Sequence, residues 1–274
     1  MTEFVLAHET SLRLSVFIGI LCVMMAVEAI FPRKKRTLSR THRWTSNLLL
    51  IAIDSLFVKL VFPIVAVGVA AMAAQKSWGI LNVVNLPNWI EVTCAIIILD
   101  MMIYWPHVAF HHVPALWALH KVHHVDRDID VTTGSRFHPI EIGLSLIYKM
   151  VIVIALGAPV IAVIIFEIIL NGCAMFNHSN VRLPLGFDRV LRRFIVTPDM
   201  HRVHHSIIVR ETNSNYGFNL SLWDRIFGSY TAQPSDGHDN MVIGLKEYQH
   251  TGPASLSWSL LLPFKSIKKL EKWL

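Results

Sequence analysis

The stretch W-I-E-V-T-C-A-I-I-I-L-D-M-M-I-Y-W-P-H-V-A-F-H, residues 89–111, decides how this chain is read. Its first part is an apolar run closed by Tyr104 and Trp105, side chains that collect where a membrane helix meets the headgroups. Its last part sets His107 and His111 four positions apart, one helical turn, just beyond that boundary. An apolar span that ends in paired imidazoles predicts a metal site at the mouth of a membrane helix.

Further apolar runs lie on either side. Residues 12–31 read as a first span, stopped by Pro32 and followed by Arg33, Lys34, Lys35, Arg36, Arg40 and Arg43. Residues 47–74 read as a second, with Asp54 and Lys59 inside it. Charges are costly in hydrocarbon and should face protein, headgroups or each other, yet a spacing of five keeps this pair off one helix face. Residues 88–106 make the third span. The run 140–175 is broken at Gly157-Ala158-Pro159, where proline removes a backbone donor. Each half falls short of the about 20 residues of a vertical crossing, so a helical hairpin whose ends return to one side is predicted.

The fold class expected is an all-α integral membrane protein, a single domain over residues 1–274 with about four transmembrane helices or hairpins. The basic loop after the first span marks the cytoplasmic side by the positive-inside rule. Counting crossings from it brings residues 107–139 and 176–230 together there as a helical cap. Residues 255–274 interleave Trp258, Leu262 and Phe264 with Lys265, Lys268, Lys269 and Lys272. They read as an interfacial amphipathic tail or as an ordinary surface helix packed on the domain. Glu3 and Glu9 stand where a signal peptide is basic, and no small-x-small site follows the first run, so an uncleaved anchor is expected.

Composition agrees. The chain is 53% hydrophobic and 16% charged, with a mean hydropathy of +0.48, where soluble domains hold about a quarter charged residues. The net charge of +6 comes from basic residues that flank apolar runs, which argues for a membrane surface and against nucleic acid. Cys22, Cys94 and Cys173 lie singly in or beside apolar segments, so neither a disulfide framework nor a thiolate metal site is expected.

Of the eleven histidines between positions 107 and 205, ten fall in H-V-A-F-H, H-K-V-H-H, F-H-P, N-H-S and H-R-V-H-H. They are His107, His111, His120, His123, His124, His138, His178, His201, His204 and His205. Spacings of three and four put His120, His123 and His124 on one helix face, and likewise His201, His204 and His205. A lone buried histidine is usually a hydrogen-bonded core residue, and His8, His42, His112, His238 and His250 are read that way. Repeated clusters on one side of a membrane are not. Imidazole suits iron, zinc, copper or nickel. A structural zinc site closes with four ligands, so ten point to two catalytic ions in an all-nitrogen, carboxylate-poor cage.

These clusters resemble those of the fatty acid hydroxylase and sterol desaturase superfamily of membrane di-iron enzymes, over residues 100–230. Arg136–Glu141 (R-F-H-P-I-E), Thr197–His205 (T-P-D-M-H-R-V-H-H) and Asn215–Tyr230 belong to the resemblance. It implies two iron ions held by all ten histidines, dioxygen activation, and hydroxylation or desaturation of an unactivated C–H bond of a lipid. Such a bond offers neither an acidic proton nor a carbonyl, so acid–base or nucleophilic chemistry cannot begin. The expected activity is that of a lipid hydroxylase, with desaturation as the alternative. A metal transporter or sensor is the remoter one, because transporters place ligands within their spans near the midplane.

Acids expected to orient the ligands are Asp126, Asp128, Asp130, Glu141, Asn177 (an amide) and Asp199, with Glu141 and Asp199 favoured by adjacency. No G-x-G-x-x-G loop, cysteine cluster or H-P-G-G haem motif occurs, which implies a separate electron donor: a ferredoxin, cytochrome or reductase. Arg182, Arg189, Arg192, Arg193 and Arg202 read as its landing patch or, by the positive-inside bias, as headgroup contacts. The missing haem domain, and the lack of a lysine-based C-terminal retrieval signal, point to a bacterial inner membrane.

Overall fold

The computed structural model describes residues 8–267, and these form helices joined by short loops and three isolated β-bridges. The long helices are α1 (Glu9–Ile30), α2 (Arg40–Val61), α3 (Ala66–Gln75), α4 (Asn88–His112), α5 (Pro114–His124), α6 (Pro139–Leu156) and α7 (Val160–Asn177). Five short ones follow, α8 (Leu185–Leu191), α9 (Pro198–His204), α10 (Val209–Thr212), α11 (Leu222–Ile226) and α12 (Gly237–Asn240), and then α13 (Leu256–Ile267).

Five segments are long and apolar enough to cross a membrane, and the helical pattern is inverted relative to a soluble protein. Leu14, Val23, Leu56, Leu60 and Val151 point outward, while Glu28, Arg43, Asn47 and Asp130 are buried. In water both halves of that arrangement are unfavourable; in lipid the outward leucines are solvated and the polar groups must pair inside.

The apolar core joins α3, α4, α6 and α7 through Val69, Ala70, Leu99, Ile103, Val153, Val163 and Phe166. α1 packs along α7. Where one span was expected over residues 47–74, the structure has two helices. α2 ends at Val61, Phe62–Val65 are not helical, and Pro63 has no N–H to continue the ladder. The second helix, α3, packs against α6 and α7. The Gly157-Ala158-Pro159 break separates two helices of 18 residues each. Gly157 caps α6 with φ +68°, and a Cβ on Gly79 would lie 2.1 Å from its nitrogen.

Asp54 and Lys59 separate. Asp54 is buried and Lys59 is exposed in the last turn of α2, where a long cationic side chain reaches the interface and meets the negative helix end. In the tail, Leu262 is buried and packs with Val122 of α5 and Val125 just after it, with Trp258 against the same cluster. Up to Phe264, α13 is thus a packed helix with one outward face, on which Leu261 and Phe264 are exposed. Lys268, Lys269, Lys272 and the rest of the expected tail lie outside the described residues.

Candidate metal centre

Four elements meet at one end of the spanning bundle. α4 ends at His112 and Pro114 starts α5 at once, so the two helices pack together and face His107 and His111 toward His120, His123 and His124. α7 ends at Asn177, delivering His178, and α9 brings His201, His204 and the following His205. Pro198 and the Thr197 side chain, which accepts from the Met200 N–H, start α9 where it does.

Nine of the ten histidines gather in two groups. His107, His111, His120, His124 and His204 form one; His123, His178, His201 and His205 form the other, and within each a nitrogen from every member lies within 4.8 Å of the rest. The groups abut: the His124 and His205 rings stack at 4.5 Å.

His138 stands apart from both. It is the N-cap of α6, its Nδ1 accepting from the Ile140 N–H at 3.2 Å while Nε2 donates to the Leu260 carbonyl at 3.3 Å. Both ring nitrogens are thus engaged in hydrogen bonds.

Hydrogen-bond partners on Nδ1 fix the tautomers of six of the nine. Nδ1–H of His107 donates to the Tyr216 carbonyl (2.7 Å), that of His204 to the Ser214 carbonyl (2.7 Å), that of His111 to Asn213 Oδ1 (3.2 Å) and that of His120 to Glu141 Oε1 (2.6 Å). Each Nε2 is left buried with no partner, as are both nitrogens of His124. In the second group, His123 donates to the Arg136 carbonyl and His178 to the Ala174 carbonyl. Their Nε2 lone pairs then face each other at 3.0 Å, with His201 Nε2 2.9 Å from that of His178. Facing lone pairs repel unless a cation lies between them. Metal–nitrogen bonds of about 2.1 Å at right angles hold ligand atoms about 3.0 Å apart. The donor set fits bound metal.

Burial keeps these imidazoles in the neutral, ligating form. It pushes His120 down to about 3 and His178 to about 4, and holds His123, His124, His201, His204 and His205 well below the usual histidine range, with neighbouring histidines adding to the effect.

Of the six groups expected to orient ligands, only Glu141 touches one. Asp126 and Asp130 instead bind Arg43, Asp126 by both oxygens at 2.7 and 2.6 Å and Asp130 at 2.6 Å. Burial raises Asp126, but Arg43 outweighs it and holds the carboxyl at about 2. Asp128 accepts from the Thr37 and Leu38 N–H groups. Asp199 pairs with Arg33, and Asn177 donates to the Phe218 carbonyl. The actual supports are mostly carbonyl oxygens, together with Asn213, which no side-chain motif announces; the only sequence signal was the conspicuous Asn215–Tyr230 segment beside them. Of the five arginines of the expected patch, Arg192 and Arg202 are buried, on Asp188 and near Asp199, leaving Arg182, Arg189 and Arg193 exposed.

A cavity of about 600 Å³ runs from this centre into the bundle; His107 and His120 of one group and His178 of the other line it, beside Phe17, Val58, Ile103 and Leu146.

Comparison with known proteins matches this geometry. The fatty acid hydroxylase family model covers residues 92–229, half of the chain. The chain is 29% identical to an ornithine lipid hydroxylase of Rhizobium tropici over 57% of its own length and 46% of that protein's. It is 29% identical to the human alkylglycerol monooxygenase, over 61% of this chain and 36% of that one. To the mouse lathosterol oxidase it is 28% identical, over 53% and 48%. The chain thus spans less than half the length of these relatives. No solved structure matches significantly. Two neighbouring imidazole cages at the inner end of one cavity, and a family match that spans all of those histidines, lead to one conclusion: the chain belongs to the fatty acid hydroxylase family.

Proposed function

We propose that this protein is a membrane-bound non-haem di-iron oxygenase that hydroxylates an unactivated C–H bond of a lipid. Dioxygen, two electrons and two protons are consumed, and the products are the alcohol and water. The observation that carries the reading is the pair of neutral, buried imidazole groups that open onto one lipid-sized cavity between spanning helices. The nine grouped histidines are the proposed ligands. Iron bound there supplies the oxidising power that a C–H bond demands.

The chain supplies the rest. Carbonyls of Ser214 and Tyr216 and the Asn213 and Glu141 side chains hold the rings at fixed tautomer and angle. Apolar walls exclude water from the C–H bond, and the spanning helices admit the substrate laterally from the bilayer. The electrons come from a separate donor. The basic loop Arg33–Arg43 sits beside the centre through Arg33–Asp199 and Arg43–Asp126, which supports a cytoplasmic site in a bacterial inner membrane.

Replacing His204 by Ala removes one imidazole from the five-membered group. Oxidised product is expected to fall at least 100-fold, about the upper limit for losing even an outer partner, with bound metal falling below two ions per chain. Full activity in His204→Ala would refute the assignment.

A further inference from the structure

The cavity wall carries more charge than a channel for hydrocarbon needs. Arg13, Asp54, Lys149 and Glu167 all line it, together with Glu141. Lys149 lies ten residues into α6 and Glu167 ten before the end of α7, which puts that pair about 15 Å along the helices from the histidines.

The two cations are ion-paired. Arg13 binds Glu9 at 2.6 Å and Glu167 at 2.9 Å, and Lys149 takes the other Glu167 oxygen at 2.7 Å. The two remaining acids are not. Asp54 is 7% exposed, and its buried Oδ1 has no hydrogen-bond partner. Glu141 spends one oxygen on His120 and leaves buried Oε2 unpaired. The two carboxyls are within electrostatic reach of each other. Among these five groups, the buried side-chain atoms without a hydrogen-bond partner are these two carboxyl oxygens, and an unsatisfied buried acceptor is costly.

We infer that the chamber receives the polar end of its lipid, and that Asp54 binds an ammonium or hydroxyl group of that end. The inference rests on reading the cavity as the lipid chamber. It makes Asp54 a specificity residue and assigns oxidation to a carbon near a donor-bearing headgroup, in preference to one deep in an acyl tail. A plain acyl chain would leave both carboxyl oxygens unpaired.

The test is lipid retention without turnover. The metal-loaded protein is placed under argon in phosphatidylcholine nanodiscs doped equally with ornithine lipid, hexadecylglycerol and palmitic acid. It is then repurified, and retained lipid is counted by mass spectrometry. Ornithine lipid or hexadecylglycerol is expected to exceed palmitic acid about tenfold, the scale of one hydrogen bond to a charged group. The first result names an ammonium, the second a hydroxyl. Asp54→Leu should bring retention to parity at unchanged metal content. Asp54→Asn, which keeps the shape, should lose any preference for ornithine lipid. Equal retention in the wild type, or a preference that survives both variants, overturns the inference. A protein that holds metal and oxidises lipid with no dependence on Asp54 defeats this inference alone; one that holds no metal defeats the functional reading beneath it.

Discussion

Glu141 Oε1 accepts the His120 Nδ1 proton at 2.6 Å, the one carboxylate contact to a grouped histidine among the described residues. Glu141→Gln keeps a carbonyl acceptor but removes the charge, and metal affinity or activity is expected to fall about 10–100-fold, read by metal titration of the purified variant. His138→Asn makes the opposite case. It keeps a capping side chain at the start of α6, so both metals should stay bound with a change in stability under about 1 kcal/mol; loss of a metal would return His138 to the ligand set. The ligands themselves were largely legible, because i, i+3 and i+4 spacing fixes which imidazoles share a helix face. Their supports were not. Spacing does not say where a loop acid turns, and Asp126 and Asp130 turn to Arg43, far away in sequence.

At the scale of elements, the α6–α7 turn depends on two glycine backbones in contact. A Cβ on Gly79, itself at φ +92°, would meet Gly157 backbone atoms at 2.1 and 2.4 Å. Gly79→Ala is expected to lower stability by more than about 1 kcal/mol, seen as a lower melting temperature in detergent. Arg43 ties the start of α2 to the loop after α5, and Arg43→Met leaves Asp126 and Asp130 buried without their cation. A loss of about 3–5 kcal/mol is expected, again by thermal unfolding. The break between α6 and α7 was readable because Gly-Ala-Pro interrupts the apolar run. The break between α2 and α3 was missed for a physical reason: residues on both sides of Pro63 are equally apolar, so hydropathy runs straight through it.

For the whole molecule, the inversion of polarity that marks a membrane protein also sets its response to acid. The grouped histidines are held below their unfolded value of 6.5, His178 at about 4 and His120 at about 3. The metal-free fold therefore has its full histidine contribution above pH 6.5. Below that the unfolded chain binds protons that the buried rings refuse, so stability should fall progressively from pH 6.5 toward 4. Metal should shift the loss to lower pH, since protons then compete with it for the same nitrogens; a midpoint that moves the other way would contradict the ligand assignment. The most direct test of the central claim is mass spectrometry of total lipids from cells grown under 18O2 with the wild-type chain or His204→Ala. The account predicts a lipid carrying one labelled oxygen in the wild type and none in the variant. A lipid that has lost two hydrogens without gaining the label, or a label that persists in His204→Ala, would contradict it.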